Sequence, residues 1–232
     1  DSELVKVITG IRRCGKSTIL RQVIAEIKEN GVDDSHIVYI NFEDYKYHKL
    51  TDADAFYEHI EQKIVDEGKY YLFFDEIQNV NKFELVVNSF RATHNVSIFI
   101  TGSNSKLLSG ELATHLSGRT ISLRVLPFNF MEFCQYKDIS APDYESLLTE
   151  YMTYGGLPLV CGADNKETKE VILSNIYDAV VLKDIVMRNK INSPLVLEKV
   201  LDYVVGNSSL TVSGNAIAGT LSSNGHKVSA PV

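Results

Sequence analysis

Cysteine is scarce in this sequence: Cys14, Cys134 and Cys161 are odd in number, far apart, and lack paired His or Cys spacing. That excludes a disulfide framework and a zinc site of ordinary spacing, and it fits a reducing, cytoplasmic setting. Long apolar runs are missing too. The longest, such as Tyr70 to Phe74 and Ile98 to Ile100, are strand-sized and far below the roughly 18 residues of a membrane helix. No membrane span and no secretory leader is expected. There is no cationic excess, because 23 Lys and Arg stand against 30 Asp and Glu, a net charge of −7. Proteins that hold a nucleic-acid backbone over a wide surface normally show the opposite balance. Glycine (14) and proline (5) are at ordinary levels, which removes collagen-like and low-complexity readings. What is present, 232 residues with 44% hydrophobic and 23% charged, is enough for one large globular domain or one and a half ordinary ones. The chain opens on Asp1 rather than Met and enters a strand-like segment within a few residues. It therefore reads as a trimmed piece of a longer protein.

Short apolar runs alternate with helical periodicity through the first half, the pattern of a mostly parallel sheet flanked by helices. Five strands are expected: Val5 to Thr9, Ile37 to Phe42, Tyr70 to Phe74, Val96 to Thr101 and Thr120 to Val125. A helix after the first buries Ile19, Leu20, Val23, Ile24 and Ile27, and Asn30 with Gly31 closes it. A second helix starts near Asp52, with Phe56, Ile60 and Ile64 at four-residue spacing, and is expected to run to Gly68. A third surrounds Phe83, Val87 and Phe90, and a short helical stretch follows Gly102. Residues 1–126 thus form an α/β core. Beyond Pro127 the pattern turns helical: a capping box at Asn129 and Glu132, then Tyr144 to Tyr154 and Val171 to Val186. Residues 127–192 read as a helical, lid-like region. Ser193 and Pro194 start a further helix that Gly206 stops, and a short one spans Ser213 to Ser222. Residues 193–232 form a third segment.

Chemistry concentrates at Gly10-Ile11-Arg12-Arg13-Cys14-Gly15-Lys16-Ser17, which matches the eight-residue phosphate-binding loop pattern and lies between a predicted strand and a predicted helix. Glycines let backbone N–H groups turn inward on a β-phosphate, and the helix N-terminus, reaching Thr18, adds partial positive charge. Lys16 reaches the β- and γ-phosphates and the Ser17 hydroxyl coordinates Mg²⁺. The third strand delivers Asp75 and Glu76 to its C-terminal end, where ligands of open α/β sheets bind. Asp75 is the candidate for Mg²⁺ and Glu76 for the general base that activates water. Thr101-Gly102-Ser103-Asn104 ends the fourth strand at the same edge, so one of these side chains could report the γ-phosphate; Ser103 or Asn104 could equally cap a strand-to-helix turn. Arg119, just before the fifth strand, is a candidate for transition-state charge or a surface ion-pair residue. Glu43 and Asp44, ending the second strand, approach the site only from the side.

In order along the chain stand Gly-Ile-Arg-Arg-Cys-Gly-Lys-Ser, Phe-Asp-Glu-Ile-Gln (Phe74 to Gln78), Thr-Gly-Ser-Asn (Thr101 to Asn104), Leu-Ser-Gly-Arg (Leu116 to Arg119), Leu-Pro-Phe-Asn-Phe-Met-Glu-Phe (Leu126 to Phe133) and Tyr-Gly-Gly-Leu-Pro (Tyr154 to Pro158). The chain resembles the AAA-type predicted ATPases of bacteria and archaea, which usually carry a C-terminal domain of unknown function. The resemblance implies an ATP- and Mg²⁺-dependent ATPase core with the Thr101 strand inserted between the loop strand and the Asp75 strand. It implies the roles above for Lys16, Ser17, Asp75 and Glu76, with Ser103 or Asn104 at the sensor position. It also implies a winged helix-turn-helix, of which Pro194 to Gly206 and Ser213 to Ser222 are the first two helices and Lys227 leads into a third. A groove-reading helix would begin only where the chain stops at Val232, and Lys199 and Lys227 are cancelled by Glu198 and Asp202. Contact with nucleic acid would therefore need a full-length winged helix. Guanine specificity is disfavoured because no Asn/Thr-Lys-x-Asp element follows a later strand, and adenine preference comes from the resemblance alone. Two rivals to hydrolysis fit the same residues: a nucleotide-gated DNA-binding regulator, and a scaffold for a protein partner or self-association that nucleotide only stabilises.

Overall fold

The structure is a computed structural model that describes residues 3–102, 116–138, 143–180, 185–186, 191 and 193–223. Its centre is a five-stranded sheet of β1 (Val5–Gly10), β2 (Ile37–Asn41), β3 (Tyr70–Asp75), β4 (Val96–Gly102) and β5 (Thr120–Val125), in the order β2-β3-β4-β1-β5. Every pairing is parallel, so each connection must cross over the sheet. β4 lies between the loop strand β1 and the Asp75 strand β3, as the family resemblance implied.

The period of two along each strand divides the core. Val5, Val7, Val38, Ile40, Leu72, Phe74, Ile98 and Ile100 face one side and pack with Phe56 and Ile60 of α2 (Ala53–Glu61) and with Val87 and Phe90 of α3 (Phe83–Thr93). Ile8, Tyr39, Phe73 and Phe99 face the other side, under Leu20 and Val23 of α1 (Lys16–Glu29). Full burial of side chains such as Phe56, Phe73, Phe74 and Phe90 contributes on the order of 2 to 3 kcal/mol each. Between these layers the apolar strand interior is covered on both faces, which is why β3 is apolar almost throughout. The same alternation puts Asp75 and Thr101 on the α1 face, beside Tyr39.

Local signals explain most helix ends. Asn30 closes α1 through its side-chain amide on Glu26 O, and Gly31 takes φ 87°. Asp52 caps α2 by accepting from the N–H groups of Asp54 and Ala55. α2 ends at Glu61, short of the expected Gly68, and Ile64 packs on the core from beyond the helix. α4 (Phe130–Lys137) carries the expected capping box, with Asn129 and Glu132 satisfying each other's backbone. α5 (Tyr144–Tyr154) stops where Gly155 takes φ 74°, and α6 (Pro158–Cys161) starts on its proline. Gly156 is fixed by close approach: its carbonyl accepts from Phe128 N, and a Cβ there would collide with the Phe128 backbone. Phe133, Leu147 and Cys161 make a small separate core with Phe128, Phe130 and Tyr151.

The chain divides into two compact units, Asp1–Lys169 and Glu170–Val232. The change of periodicity at Pro127 falls inside the first. α7 (Lys166–Asp178) starts ahead of the expected Val171, and α8 (Pro194–Gly206) and α9 (Gly214–Ser223) occupy the expected positions. Among the described residues no helix is long and apolar enough to cross a membrane. The expected helix after Gly102 and the Lys227 segment lie outside the described residues.

Candidate nucleotide-binding site

The loop from Gly10 to Gly15 is shaped by two left-handed residues, Arg13 at φ 63° and Gly15 at φ 102°. Gly15 is the N-cap of α1 and offers no side chain, so no side-chain acceptor caps the helix's first turn. A concave run of backbone N–H groups at an uncapped helix N-terminus is an anion cradle. Gly10 is required on steric grounds, since a Cβ would lie 2.5 Å from Val125 O and 2.6 Å from Cys14 Sγ. Cys14 is buried beneath the loop, and that burial pushes its thiol up against the opposing pull of Lys16. Ile11 and Arg13 are exposed on the loop, Arg12 and Ser17 are half-buried, and Thr18 is exposed one residue further.

Lys16 is 5% exposed, and its ammonium donates to the carbonyls of Gly10 (3.3 Å) and Ile11 (3.1 Å). It also lies 3.8 Å from Glu76 Oε1. The loop and the acidic pair, separated by sixty residues of sequence, therefore meet in one place. Glu76 takes the left-handed conformation, φ 54°, at the abrupt end of β3. A non-glycine residue there is uncommon and is kept by its surroundings. Its N–H donates to Thr101 Oγ1 (3.0 Å), and its Oε2 accepts from Gln78 Nε2. Gln78 Oε1 is buried without a partner, the one such side-chain atom among the described residues.

Asp75 is fully buried. Its Oδ1 accepts from the Thr101 hydroxyl and its Oδ2 from the Tyr39 hydroxyl at 3.1 Å. Burial, reinforced by the Asp75 charge, pushes the Tyr39 hydroxyl up to about 12. A desolvated carboxylate whose described partners are neutral hydroxyls fits a cation, because two lone-pair positions remain open and the charge is otherwise costly to bury.

The expected site residues divide accordingly. Lys16 and Glu76 are in contact, and Asp75 joins them through Thr101. Ser103 and Asn104 lie outside the described residues. Arg119 does not approach its own loop. Its carbonyl accepts from Val5 N and Val5 pairs with Thr120, so the five steps of strand up to Gly10, about 17 Å, separate them. Arg119 Nη1 instead donates to Asn88 Oδ1 at 3.0 Å, the same oxygen that Arg91 approaches. Glu43 and Asp44 are exposed turn residues, with Asp44 accepting from Lys46 N. Thr101, singled out by sequence only within the Thr101 to Asn104 cluster, and Tyr39, not singled out at all, gain roles here, as does Gln78, the last residue of the Phe74 to Gln78 motif. The signal for the first two was available: Tyr39, Asp75 and Thr101 sit on three adjacent strands with the same facing.

A parallel sheet of this order, with the phosphate loop after β1 and an acidic pair after the strand beyond its neighbour, defines a P-loop nucleotide-binding domain of the ATPase type. Residues 2–134 match the family described as the AAA domain. The chain belongs to that family. An uncharacterized protein of Haemophilus influenzae is 39% identical over 226 residues, covering 96% of this chain and 56% of its own length. The uncharacterized protein MJ1544 of Methanocaldococcus jannaschii is 32% identical over 234 residues, with coverage of 97% and 52%. The chain thus spans about half the length of these relatives. Among solved structures it is similar to C. elegans PCH-2, with TM-score 0.47 and 14% identity over 77% of this chain and 61% of that one. It is also similar to the Aeropyrum pernix ORC1 protein in complex with DNA, with TM-score 0.45 and 13% identity over 97% and 78%.

Proposed function

We propose that this domain binds ATP with Mg²⁺ and hydrolyses the β–γ anhydride. The observation that carries the reading is the meeting of Lys16 with Glu76 at 3.8 Å, beside a buried Asp75 and an uncapped helix N-terminus. Phosphates would lie against the N–H groups of Gly10 to Thr18, and Lys16 would exchange its loop carbonyls for β- and γ-oxygens. Ser17 and Asp75 would hold Mg²⁺. When bound, the ion supplies positive charge to the bridging and terminal phosphate oxygens. Glu76 accepts a proton from the attacking water as the new O–P bond forms and the bond to the β–γ bridging oxygen breaks, leaving ADP and phosphate. The described part of β4 offers Thr101 to orient both acids, and Ser103 or Asn104 is proposed as the γ-phosphate sensor.

Arg119, at the far end of its own sheet, serves this chemistry only across a boundary between two copies. Phosphate release measured with and without Mg²⁺ tests the core of the reading, and Lys16→Ala should abolish both nucleotide binding and release. Tight Mg²⁺-dependent binding with no release would leave a switch or scaffold in its place. For Arg119, an Arg119→Ala subunit mixed with a Glu76→Gln subunit should regain turnover that neither has alone. Equal loss in every mixture removes that role. The winged-helix reading of α8 and α9 belongs to the longer protein and predicts salt-sensitive DNA binding there.

A further inference from the structure

Tyr39 has no part in the loop or the acidic pair, yet its hydroxyl is 3.1 Å from the carboxylate that would hold the metal. Its ring packs in the layer of Ile8, Leu20 and Phe73 under α1, so the hydroxyl is presented by a side chain with little freedom. Ile40 pairs with Phe74 and Asn41 with Asp75. Tyr39 therefore stands two residues behind Asp75 on the neighbouring strand and reaches forward along the same face. The Arg21 charge, on the helix that follows the phosphate loop, pulls the Tyr39 hydroxyl down against the larger effects of burial and the Asp75 charge.

Aspartate χ2 is a soft torsion. With Thr101 alone on Oδ1, the carboxylate of Asp75 could swing about that bond. A second donor on Oδ2 fixes its plane and leaves the remaining lone pairs of both oxygens in one set direction. Partners of this kind, behind a metal-holding carboxylate, are worth about 10- to 100-fold in metal affinity or activity. We propose that Tyr39 is a positioning residue for Mg²⁺: by holding Asp75 Oδ2 it sets the affinity of the nucleotide site for the divalent cation. The proposal rests on the reading that Asp75 holds Mg²⁺. It adds a residue on β2, outside both motifs, that tunes metal dependence.

The experiment is a Mg²⁺ titration at fixed concentration of a fluorescent, slowly hydrolysed ATP analogue, comparing wild type, Tyr39→Phe and Tyr71→Phe. Tyr71 packs in the same layer and controls for loss of a hydroxyl from it. The expected result is a Mg²⁺ midpoint about 10-fold higher in Tyr39→Phe, unchanged binding of the analogue in EDTA, and an unshifted Tyr71→Phe. Turnover at saturating Mg²⁺ should return to within a few-fold of wild type, giving a split between metal midpoint and kcat that a purely structural loss would not produce. A wild-type midpoint shared by Tyr39→Phe overturns the proposal and leaves Asp75 as the metal residue. Analogue binding by wild type that ignores Mg²⁺ overturns the Asp75 reading itself, and the proposal with it.

Discussion

Thr101→Val removes one oxygen and nearly nothing else, yet that oxygen holds both acids. In the folded domain the Thr101 hydroxyl donates to Asp75 Oδ1 and accepts from Glu76 N. Thr101 is fully buried. The bond to the ionised carboxylate is worth about 1.5 to 3 kcal/mol, and leaving the Glu76 N–H without an acceptor costs roughly 1 kcal/mol more. The added methyl of valine returns about 0.8 kcal/mol if the pocket accepts it. The net expectation is a loss of about 2 to 3 kcal/mol. At about 2 to 4 °C per kcal/mol for a chain of this length, the nucleotide-free melting temperature should fall by roughly 5 to 10 °C. Thr101→Ser, which keeps the hydroxyl, should lose only the packing of one methyl, about 1 kcal/mol. A double-mutant cycle with Asp75→Ala, which removes the acceptor where asparagine would keep one, isolates the shared bond and should show coupling of about 1.5 kcal/mol or more. The reasoning is refuted if Thr101→Val melts at or above Thr101→Ser, or if the two changes add to within about 0.5 kcal/mol.

Other consequences follow from the loop and the small core. Gly10→Ala forces its Cβ to within 2.5 Å of the Val125 carbonyl; stability should fall by about 1 to 3 kcal/mol, and calorimetry should show nucleotide binding weakened at least tenfold. Cys14 is buried with its thiol pushed up by that burial, so its thiolate is sparse at neutral pH. Iodoacetamide should therefore label it far more slowly than free cysteine at pH 7, and accelerate only above the ordinary thiol range. Burial raises the Glu150 carboxyl, but hydrogen bonds from Lys169 and Lys137 outweigh it and hold the group below its usual range. A depressed carboxylate stabilises the fold above its unfolded pKa, near 4.3, and that stabilisation is lost as pH falls through its folded value. Glu150→Gln should thus cost about 1 to 3 kcal/mol at pH 7 in urea unfolding, with the gap from wild type closing in acid below that range.

The sequence carried the layered architecture far because its signals are local. Strand-length apolar runs, the capping box at Asn129 and the Gly155 stop all act within a few residues, and each fell where expected. α2 ends at Glu61, although Ile64 still bonds back to the Ile60 carbonyl and packs onto the core just beyond the helix, so the four-residue spacing ran on past its end. The phosphate loop and the acid pair were legible as motifs. Their meeting through Lys16 and Glu76 was an inference that the crossover topology turned into a distance. The roles of Thr101 and Tyr39 were hidden because they lie in hydrogen bonds between strands, which depend on register, whereas Gln78 acts through a local bond to Glu76. Without a register, Thr101 is one member of a polar cluster at a strand end and Tyr39 one more tyrosine. Arg119 shows the converse. Residue type made it a candidate for phosphoryl charge beside the surface ion-pair reading, and only the parallel pairing of β1 with β5 reveals that it stands at the other end of the sheet.

The central claim is that the loop at Gly10 and the carboxylates at Asp75 and Glu76 form one hydrolytic site. Single-turnover release of γ-labelled phosphate from Mg²⁺ and ATP, in wild type and in Glu76→Gln, tests it most directly. The account predicts release by wild type, and a Glu76→Gln protein that binds ATP as well but releases phosphate at least about 100-fold more slowly, the size of a lost general base. Release by Glu76→Gln at the wild-type rate, or intact ATP held indefinitely by wild type, would contradict it.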